Sequence, residues 1–263
     1  MKALSRRRRH PGATYVLLLL ALLATGGIYT AITATGSASA ASGSSATASV
    51  ADGQALFAVN CSSCHGINAQ GTSRGPSLVG VGAAAVDFQV GTGRMPAADV
   101  GPQVPARKVR FTQAQIDDLA AYVASLGPGP EIPTAANLDT TGADVAMGGE
   151  IFRTNCSMCH NFAGSGGALS NGKFAPSLKS VAPKYIWEAM VTGPASMPKF
   201  SNGTLTPQDK QDVIAWLTQV RSEGNPGGFG LGQIGPVSEG LVVWVVGLGA
   251  LIGCAVWLGA KAK

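Results

Sequence analysis

Cys-Ser-Ser-Cys-His at residues 61–65 recurs in type as Cys-Ser-Met-Cys-His at residues 156–160, 95 positions further along a chain of 263 residues. In such a motif each cysteine sulfur forms a thioether to a haem vinyl group, and the histidine coordinates the haem iron. A lone Cys-x-x-Cys would also fit a redox disulfide or half of a zinc site. The motifs use four of the five cysteines and two of the three histidines, which leaves too few other ligands for zinc. The repeat therefore predicts two covalently bound haem c groups, attached through Cys61, Cys64, Cys156 and Cys159.

The two motifs lie inside a longer repeat. Matching residues precede and follow each motif: Gly53 and Phe57 with Gly148 and Phe152, Pro76 with Pro176, Met95-Pro96 with Met197-Pro198, and Asp118 and Tyr122 with Asp212 and Trp216. The offsets between the halves are 95, 100, 102 and 94 residues, so only small differences in loop length separate them. The sequence thus predicts a duplicated domain with one haem in each copy.

Each haem iron needs a sixth ligand or an open site, and the histidine inventory restricts the choice. His65 and His160 are the proximal ligands, and the remaining histidine, His10, precedes the first apolar run. Met95 and Met197 follow their motif histidines by 30 and 37 residues, each in a loop and each before a proline. That spacing lets the chain pass around the haem edge and return over the distal face. We therefore expect His65 with Met95, and His160 with Met197, as axial ligands, a pairing that raises the reduction potential relative to bis-histidine haem.

Local signals indicate helices and no strand of useful length. Short helices are expected at 52–60 and 147–156, leading into the two motifs. A capping box that begins at Thr112 predicts a helix to about residue 126. Thr206, which precedes a proline in the N1 position, predicts its counterpart to about residue 221. The predicted fold class is therefore all-α.

Charge and hydropathy separate the termini from the rest of the chain. The formal net charge is +5, but residues 52–225 carry 12 basic and 13 acidic residues, so no basic face for nucleic acid is expected. Uncharged apolar runs at 13–32 and 241–260 are each 20 residues long. As helices they would be about 30 Å long, which matches the hydrocarbon core of a membrane. A buried core helix is the alternative interpretation of such a run.

Basic residues flank both apolar runs and predict a topology. They lie in a tail at 1–12, which contains four consecutive arginines, and in a tail at 261–263. By the positive-inside rule both termini are cytoplasmic, and the haem domains lie on the extracytoplasmic side of the cell membrane. The basic start, the apolar stretch and small residues at 38–40 also describe a signal peptide. Because the apolar run exceeds the usual length of a signal peptide core, we favour a retained N-terminal anchor.

The order of these features resembles class I cytochrome c: a glycine-aromatic helix, Cys-x-x-Cys-His, a proline loop, a distal methionine and a helix with an aromatic residue. The resemblance covers 52–126 and 147–221. It implies that the first and last helices of each domain cross at Gly53/Tyr122 and at Gly148/Trp216. It also implies that Pro76 and Pro176 lie near the proximal histidines, with a backbone carbonyl accepting the imidazole N–H. The resulting organisation is two tandem domains at 51–127 and 147–224 and linkers at 33–50, 128–146 and 225–240, all between an N-terminal and a C-terminal transmembrane helix.

The overall layout resembles the dihaem cytochrome c subunit of actinobacterial-type cytochrome bcc complexes, which are quinol–cytochrome c reductases. The resemblance implies that one haem accepts electrons from a Rieske iron–sulfur subunit and the other passes them to a haem–copper terminal oxidase. It further implies a cytochrome b subunit as partner, with no quinol site in this chain. One alternative is a dihaem subunit of a haem–copper oxidase or a periplasmic dehydrogenase, whose anchors are typically N-terminal. The other is a dihaem peroxidase, which needs an open iron site.

Overall fold

The computed structural model describes residues 48–99, 101, 103–223 and 236–261, together with positions 15, 19, 20, 23 and 24 of the N-terminal run. In the first half the helices are α1 (Val50–Asn60), α2 (Ser62–His65), α3 (Ala83–Gly91) and α4 (Gln113–Ser125). A short helix α5 (Ala135–Leu138) follows, and the second half contains α6 (Val145–Asn155), α7 (Ser157–His160), α8 (Pro183–Thr192) and α9 (Pro207–Ser222). The last helix is α10 (Pro236–Lys261). The four helices predicted from the sequence are therefore present within two residues of their expected ends.

In the first half, α1 and α4 cross at a glycine, as the class I resemblance implied. A Cβ atom added to Gly53 would lie 2.0 Å from the backbone oxygen of Asp118 and 2.9 Å from Cβ of Tyr122. The Asp118 side chain accepts a hydrogen bond of 2.7 Å from the backbone N–H of Ser49, the residue that caps α1. Any side chain at position 53 would force the two helices apart, so the crossing requires glycine.

The second half repeats this crossing with α6 and α9. A Cβ atom on Gly148 would lie 2.0 Å from the backbone oxygen of Asp212, whose side chain accepts a 2.9 Å hydrogen bond from the N–H of Asp144. The predicted partner was imprecise, because the Trp216 indole lies over the neighbouring Gly149, 2.7 Å from the position of its missing Cβ. The repeated aspartates thus have a shared role that the sequence comparison did not reveal: each ties the last helix to the start of the first.

Each half has its own apolar core. The first is formed by Phe57, Ala69, Val86, Val90, Ile116, Leu119, Ala120, Tyr122 and Val123. The second is formed by Phe152, Ile186, Trp187, Met190, Phe200, Leu205, Val213, Ile214 and Leu217. The aromatic rings of the repeat pack together in both cores, with centroids 5.2 Å apart for Phe57 and Tyr122 and 4.5 Å apart for Phe152 and Trp216. Two separate cores agree with a duplicated domain.

Some features of the fold differ from the sequence expectations. A two-stranded antiparallel hairpin, Gly167–Ala168 with Phe174–Ala175, interrupts the otherwise helical second half. The predicted linker at 128–146 includes α5, which packs on the second half, where the side chain of Gln211 donates a 2.8 Å hydrogen bond to the backbone oxygen of Ala136. Helices α3 and α8 also pack against each other, so the two halves touch directly as well as through the linker.

The C-terminal helix matches the second apolar run and extends beyond it. Within α10, residues Gly240–Lys261 are long and apolar enough to cross a membrane, with a mean hydropathy of 2.4 over the most apolar window. Large apolar side chains such as Trp244 and Leu251 are 66% and 68% exposed, so this helix is not the core helix of the alternative interpretation. The span predicted at 13–32 lies outside the described residues apart from five positions, and those five are helical.

Candidate haem sites

Both cysteine pairs lie on a tight helical turn that directly follows the first helix of each domain. In the first domain the N–H of Cys61 donates to Phe57, and the N–H groups of Cys64 and His65 donate to Cys61, at 2.8, 3.1 and 3.0 Å. The second domain has the same pattern, in which Cys156 donates to Phe152 at 2.8 Å. Because the turn is fixed by backbone hydrogen bonds, both thiols and the histidine are held close together without help from distant residues.

The cysteine thiols are partly buried, and the first thiol of each pair has a raised pKa. Burial, with the neighbouring cysteine as a second cause, raises the pKa of Cys61 to about 11, and the same causes raise the pKa of Cys156 to about 11. A thiolate is the form that attacks disulfides, and it is disfavoured when the pKa lies so far above neutral. This environment speaks against the redox-disulfide interpretation, and it fits cysteines that are linked to haem vinyl groups.

The histidines are oriented by the proline loops. Nδ1 of His65 lies 2.7 Å from the carbonyl oxygen of Pro76, and Nδ1 of His160 lies 3.0 Å from that of Pro176. A carbonyl can only accept, so Nδ1 carries the proton in both rings and Nε2 keeps a lone pair. Burial lowers the pKa of His160, although its hydrogen bond to Pro176 acts in the opposite direction. A neutral imidazole with a free Nε2 is the form that coordinates a metal.

Met95 and Met197, the methionines predicted as axial ligands, lie in loops that are tied to the preceding helix. The N–H of Met95 donates to the backbone oxygen of Gln89 at 2.9 Å, near the end of α3. Beside Met197, the N–H of Phe200 donates to Met190 of α8 at 2.7 Å. Both methionines are partly buried, and each packs on the core of the domain that contains its predicted histidine partner. The structure therefore brings each methionine to the same apolar core as its first cysteine.

A buried lysine in the second domain escaped the sequence analysis. Lys210 is fully buried, and its Nζ donates to the backbone oxygen of Leu205 at 2.5 Å and to the side chain of Asn202 at 3.1 Å. Burial lowers the pKa of Lys210. The position equivalent to Lys210 in the first domain, at the 94-residue offset, is the buried Ile116. Lys210 thus holds the loop after Met197, and the first domain has no lysine at the equivalent position. The replacement of an apolar residue, Ile116, by a lysine in the repeat was the sequence signal that could have identified this buried charge.

Arg94 lies directly before Met95 and is partly buried. Its guanidinium lies 4.8 Å from the ring centre of Phe88, and burial lowers its pKa. Arg74, in the loop after the first motif, is exposed. The haem loops of the first domain therefore include one partly buried cation directly before Met95.

Family models match both domains. The model described as cytochrome c matches residues 50–127, and the model described as cytochrome C oxidase, cbb3-type, subunit III matches residues 143–217. Paired thiols on a helical turn, an imidazole with a free Nε2 and an adjacent apolar core fit haem c in both halves. The fold and the two sites define a c-type cytochrome with two haem domains, an electron-transfer protein that carries two covalently bound haem c groups.

Curated relatives cover nearly the whole chain. "Cytochrome bc1 complex cytochrome c subunit" of Mycobacterium bovis is 46% identical over 97% of this chain and 92% of its own length. The proteins of the same name from Mycobacterium leprae and Corynebacterium efficiens are 43% and 42% identical and cover 94% and 97% of this chain. The chain belongs to the family of cytochrome bc1 complex cytochrome c subunits. A solved Kuenenia stuttgartiensis reducing HAO-like protein complex is similar only at a TM-score of 0.37 and 13% identity, which carries no weight here.

Proposed function

We propose that this chain is the electron-transfer subunit of a membrane quinol–cytochrome c reductase. It passes single electrons from a Rieske iron–sulfur protein, through two His/Met haems, towards a terminal haem–copper oxidase. The observation that carries the proposal is the duplicated site, in which the same thiol turn and the same imidazole-to-proline hydrogen bond occur in both domains. The names of these relatives support assembly with the other subunits of a bc1 complex. We infer that a cytochrome b subunit is one of them.

At each site, different residues are assigned to covalent attachment of the haem and to coordination of its iron. We assign Cys61, Cys64, Cys156 and Cys159 to covalent attachment, and His65 with Met95 and His160 with Met197 to axial coordination. Haem c supplies reversible one-electron chemistry when it is bound. The proline carbonyls hold each imidazole in one orientation and increase the basicity of its Nε2. A thioether ligand from Met95 or Met197 would favour the reduced state of the iron, which suits electron transfer rather than activation of oxygen or peroxide.

A second candidate function rests on one observation. The family model that matches residues 143–217 is described as a subunit of a cbb3-type oxidase, so a dihaem oxidase subunit shares the second domain. We favour the reductase because the bc1-complex relatives match 94% to 97% of this chain, whereas that model matches one domain. A dihaem peroxidase would require an open iron site, and no histidine remains in the haem domains to exchange for a methionine.

Purification of the native complex tests the proposed function. Membranes are solubilised in a mild detergent, and the complex is purified through an affinity tag fused to this chain. We expect cytochrome b and a Rieske protein to copurify with it. Mass spectrometry identifies the subunits, and quinol-dependent reduction of both haems confirms the electron path. Recovery of an oxidase core that lacks cytochrome b and the Rieske protein would instead establish the second candidate.

Reporter fusions test the proposed topology, in which both termini are cytoplasmic and the haem domains are extracytoplasmic. Alkaline phosphatase fused after residue 223 is expected to be active, because this enzyme folds only outside the cytoplasm. The same reporter fused after Lys261, beyond the apolar helix α10, is expected to be inactive. Equal activity of the two fusions would show that α10 does not cross the membrane.

A further inference from the structure

The contact between the two haem domains contains charged groups that are shielded from water. Helix α3 of the first domain packs on α8 of the second, and the side chains of Asp87 and Glu188 are both 0% exposed there. Nζ of Lys184 lies 2.6 Å from Oδ2 of Asp87, across the contact. We refer to Asp87, Lys184 and Glu188 as the interdomain cluster.

Close packing surrounds the interdomain cluster. A Cβ atom on Gly91 would lie 2.5 Å from the hydroxyl oxygen of Tyr185, so the end of the tyrosine side chain occupies the space that a side chain at position 91 would need. The rings of Phe88 and Tyr185 stack edge to face with centroids 6.3 Å apart. A second contact joins the domains elsewhere: the side-chain amide of Gln103 makes two hydrogen bonds, of 2.7 and 2.8 Å, with the backbone of Phe174. The two domains therefore meet in a specific contact rather than at a loose junction.

The charges of the interdomain cluster balance only if it holds a proton. Two ionised carboxylates and one ammonium would leave a net charge of −1 away from water, which is unfavourable. Burial raises the pKa of Glu188 to about 10, and a side-chain hydrogen bond and a charge interaction with Asp87 act in the same direction. Apart from Asp87, no described residue supplies a hydrogen-bond partner to either carboxyl oxygen of Glu188. Glu188 is thus the neutral member, and Asp87 pairs with Lys184.

The other groups that face the cluster do not replace that proton. On α4, Gln113 donates to Oδ1 of Asp87 at 3.2 Å and to Asp117 at 2.8 Å, so it adds an amide and a more distant carboxylate. Burial lowers the pKa of Lys184, but its hydrogen bond and charge interaction with Asp87 outweigh burial and raise it overall. On α8, burial raises the pKa of Tyr185, which stays neutral.

Helix α9 also packs on α8 and carries two buried charged residues, Lys210 and Asp212. The ammonium group of Lys210 lies 5.7 Å from the Trp187 ring and is bonded to Asn202 and Leu205. The carboxylate of Asp212 is bonded to the N–H of Asp144 and to the side chain of Gln208. Both groups are engaged within the second domain, so neither neutralises Glu188.

We propose that Asp87, Lys184 and Glu188 are positioning residues that hold the two haem domains in one arrangement and thereby set the rate of electron transfer between the haems. The inference rests on the proposed function, in which electrons cross from one haem to the other. Electron tunnelling slows exponentially with distance, so a linker of about 19 residues without a fixed contact would allow slow, variable transfer. The Asp87–Lys184 pair supplies the fixed contact, and a charged Glu188 opposes it.

Lys184→Met is the first test, made in the purified complex with both haems present. Removal of the ammonium leaves Asp87 buried and unpaired, and we expect inter-haem electron transfer after flash photoreduction to slow at least tenfold. The midpoint potential of each haem should stay unchanged, since neither haem site is altered. Lys108→Met makes the same chemical change at an exposed position and should leave the rate unchanged. A Lys184→Met rate equal to that of Lys108→Met overturns the proposal.

The double variant Asp87→Asn/Lys184→Met removes both charges and should transfer electrons faster than Lys184→Met alone, because no unpaired charge remains at the contact. A double variant that is as slow as the single one would contradict the role assigned to the ion pair.

The pH dependence of the inter-haem electron-transfer rate separates a positioning role of Glu188 from a purely structural one. Docking takes up a proton on Glu188, so it is fully favourable below the ordinary carboxyl pKa and weakens as pH rises until Glu188 ionises near its pKa of about 10. We expect the wild-type inter-haem rate to fall on the alkaline side. Glu188→Gln mimics the protonated carboxyl, so this fall should disappear, whereas Glu150→Gln at an exposed site should keep it. A Glu188→Gln profile identical to wild type overturns the proposal.

The failure of this inference is distinguishable from failure of the proposed function. If no electron passes between the haems in the wild-type complex, or the complex lacks cytochrome b and a Rieske protein, the proposed function fails. If wild type and Lys184→Met both transfer electrons equally fast, only the positioning role fails.

Discussion

Replacement of Met197 by histidine is expected to lower the midpoint potential of one haem by on the order of 0.2 V, because axial ligands set haem potentials over a wide range. Sulfur of a thioether is a soft donor that favours ferrous iron, whereas imidazole stabilises the ferric state. The other haem should keep its potential, since each methionine packs on the core of its own domain. A redox titration of the purified protein, followed by haem absorbance, measures both values.

The reciprocal variant assigns the potentials to the domains. Met95→His should lower the midpoint potential of the haem that Met197→His leaves unchanged, and the double variant should lower both midpoint potentials. Met147→His is the matched control, because Met147 is 45% exposed and precedes its motif, so both potentials should stay at wild-type values. If Met197→His left both potentials unchanged, the assignment of that methionine as an axial ligand would be wrong.

Replacement of Gly53 by leucine is expected to unfold the first domain selectively. The missing Cβ would lie 2.0 Å from the backbone oxygen of Asp118, and a backbone atom cannot move aside as a flexible side chain can. The crossing of α1 and α4 must then open, which we expect to reduce the free energy of unfolding by about 3 kcal/mol or more. Urea titration monitored by haem absorbance should show the spectrum of one haem change at a lower urea concentration, as its covalently attached domain unfolds, and that of the other haem unchanged.

Two further variants make this prediction specific. Gly148→Leu should destabilise the second domain in the same way, because its Cβ would meet the backbone oxygen of Asp212 at the same 2.0 Å. Gly203→Leu is the control, since the nearest atom to its Cβ is the Ser201 hydroxyl at 3.7 Å. Equal stability of the Gly53 variant and the Gly203 variant would show that the helix crossing does not depend on glycine.

Much of the fold follows from local signals in the sequence. The capping box at Thr112 and the helix start at Thr206, with Pro207 in the N1 position, are present in the structure and begin α4 and α9 as expected. The structure adds a capping box between Thr206 and Asp209. These devices are short-range, because the capping hydroxyl and the N–H it binds are three residues apart. The imidazole-to-proline hydrogen bonds were also expected, although that expectation came from the class I resemblance and not from spacing.

Other features could not be predicted, because they depend on which residues meet across the fold. No local sequence pattern marks Asp87, Lys184 or Glu188 as a buried charge, yet the carboxyl groups of Asp87 and Glu188 are fully buried. Lys210 looked equally ordinary in a polar stretch of α9. Charge burial is a property of the contact and not of the residue, so only packing of α3 on α8 reveals it.

The sequence by itself determined the number of haems, their attachment residues and the duplicated domain, since covalent attachment needs only a short motif and helix caps act over one turn. It also determined an apolar C-terminal helix long enough to cross a membrane. The tertiary structure alone decided where the two domains touch and which charges that contact removes from water. It did so because burial and ion pairing arise between residues nearly 100 positions apart, as with Asp87 and Lys184.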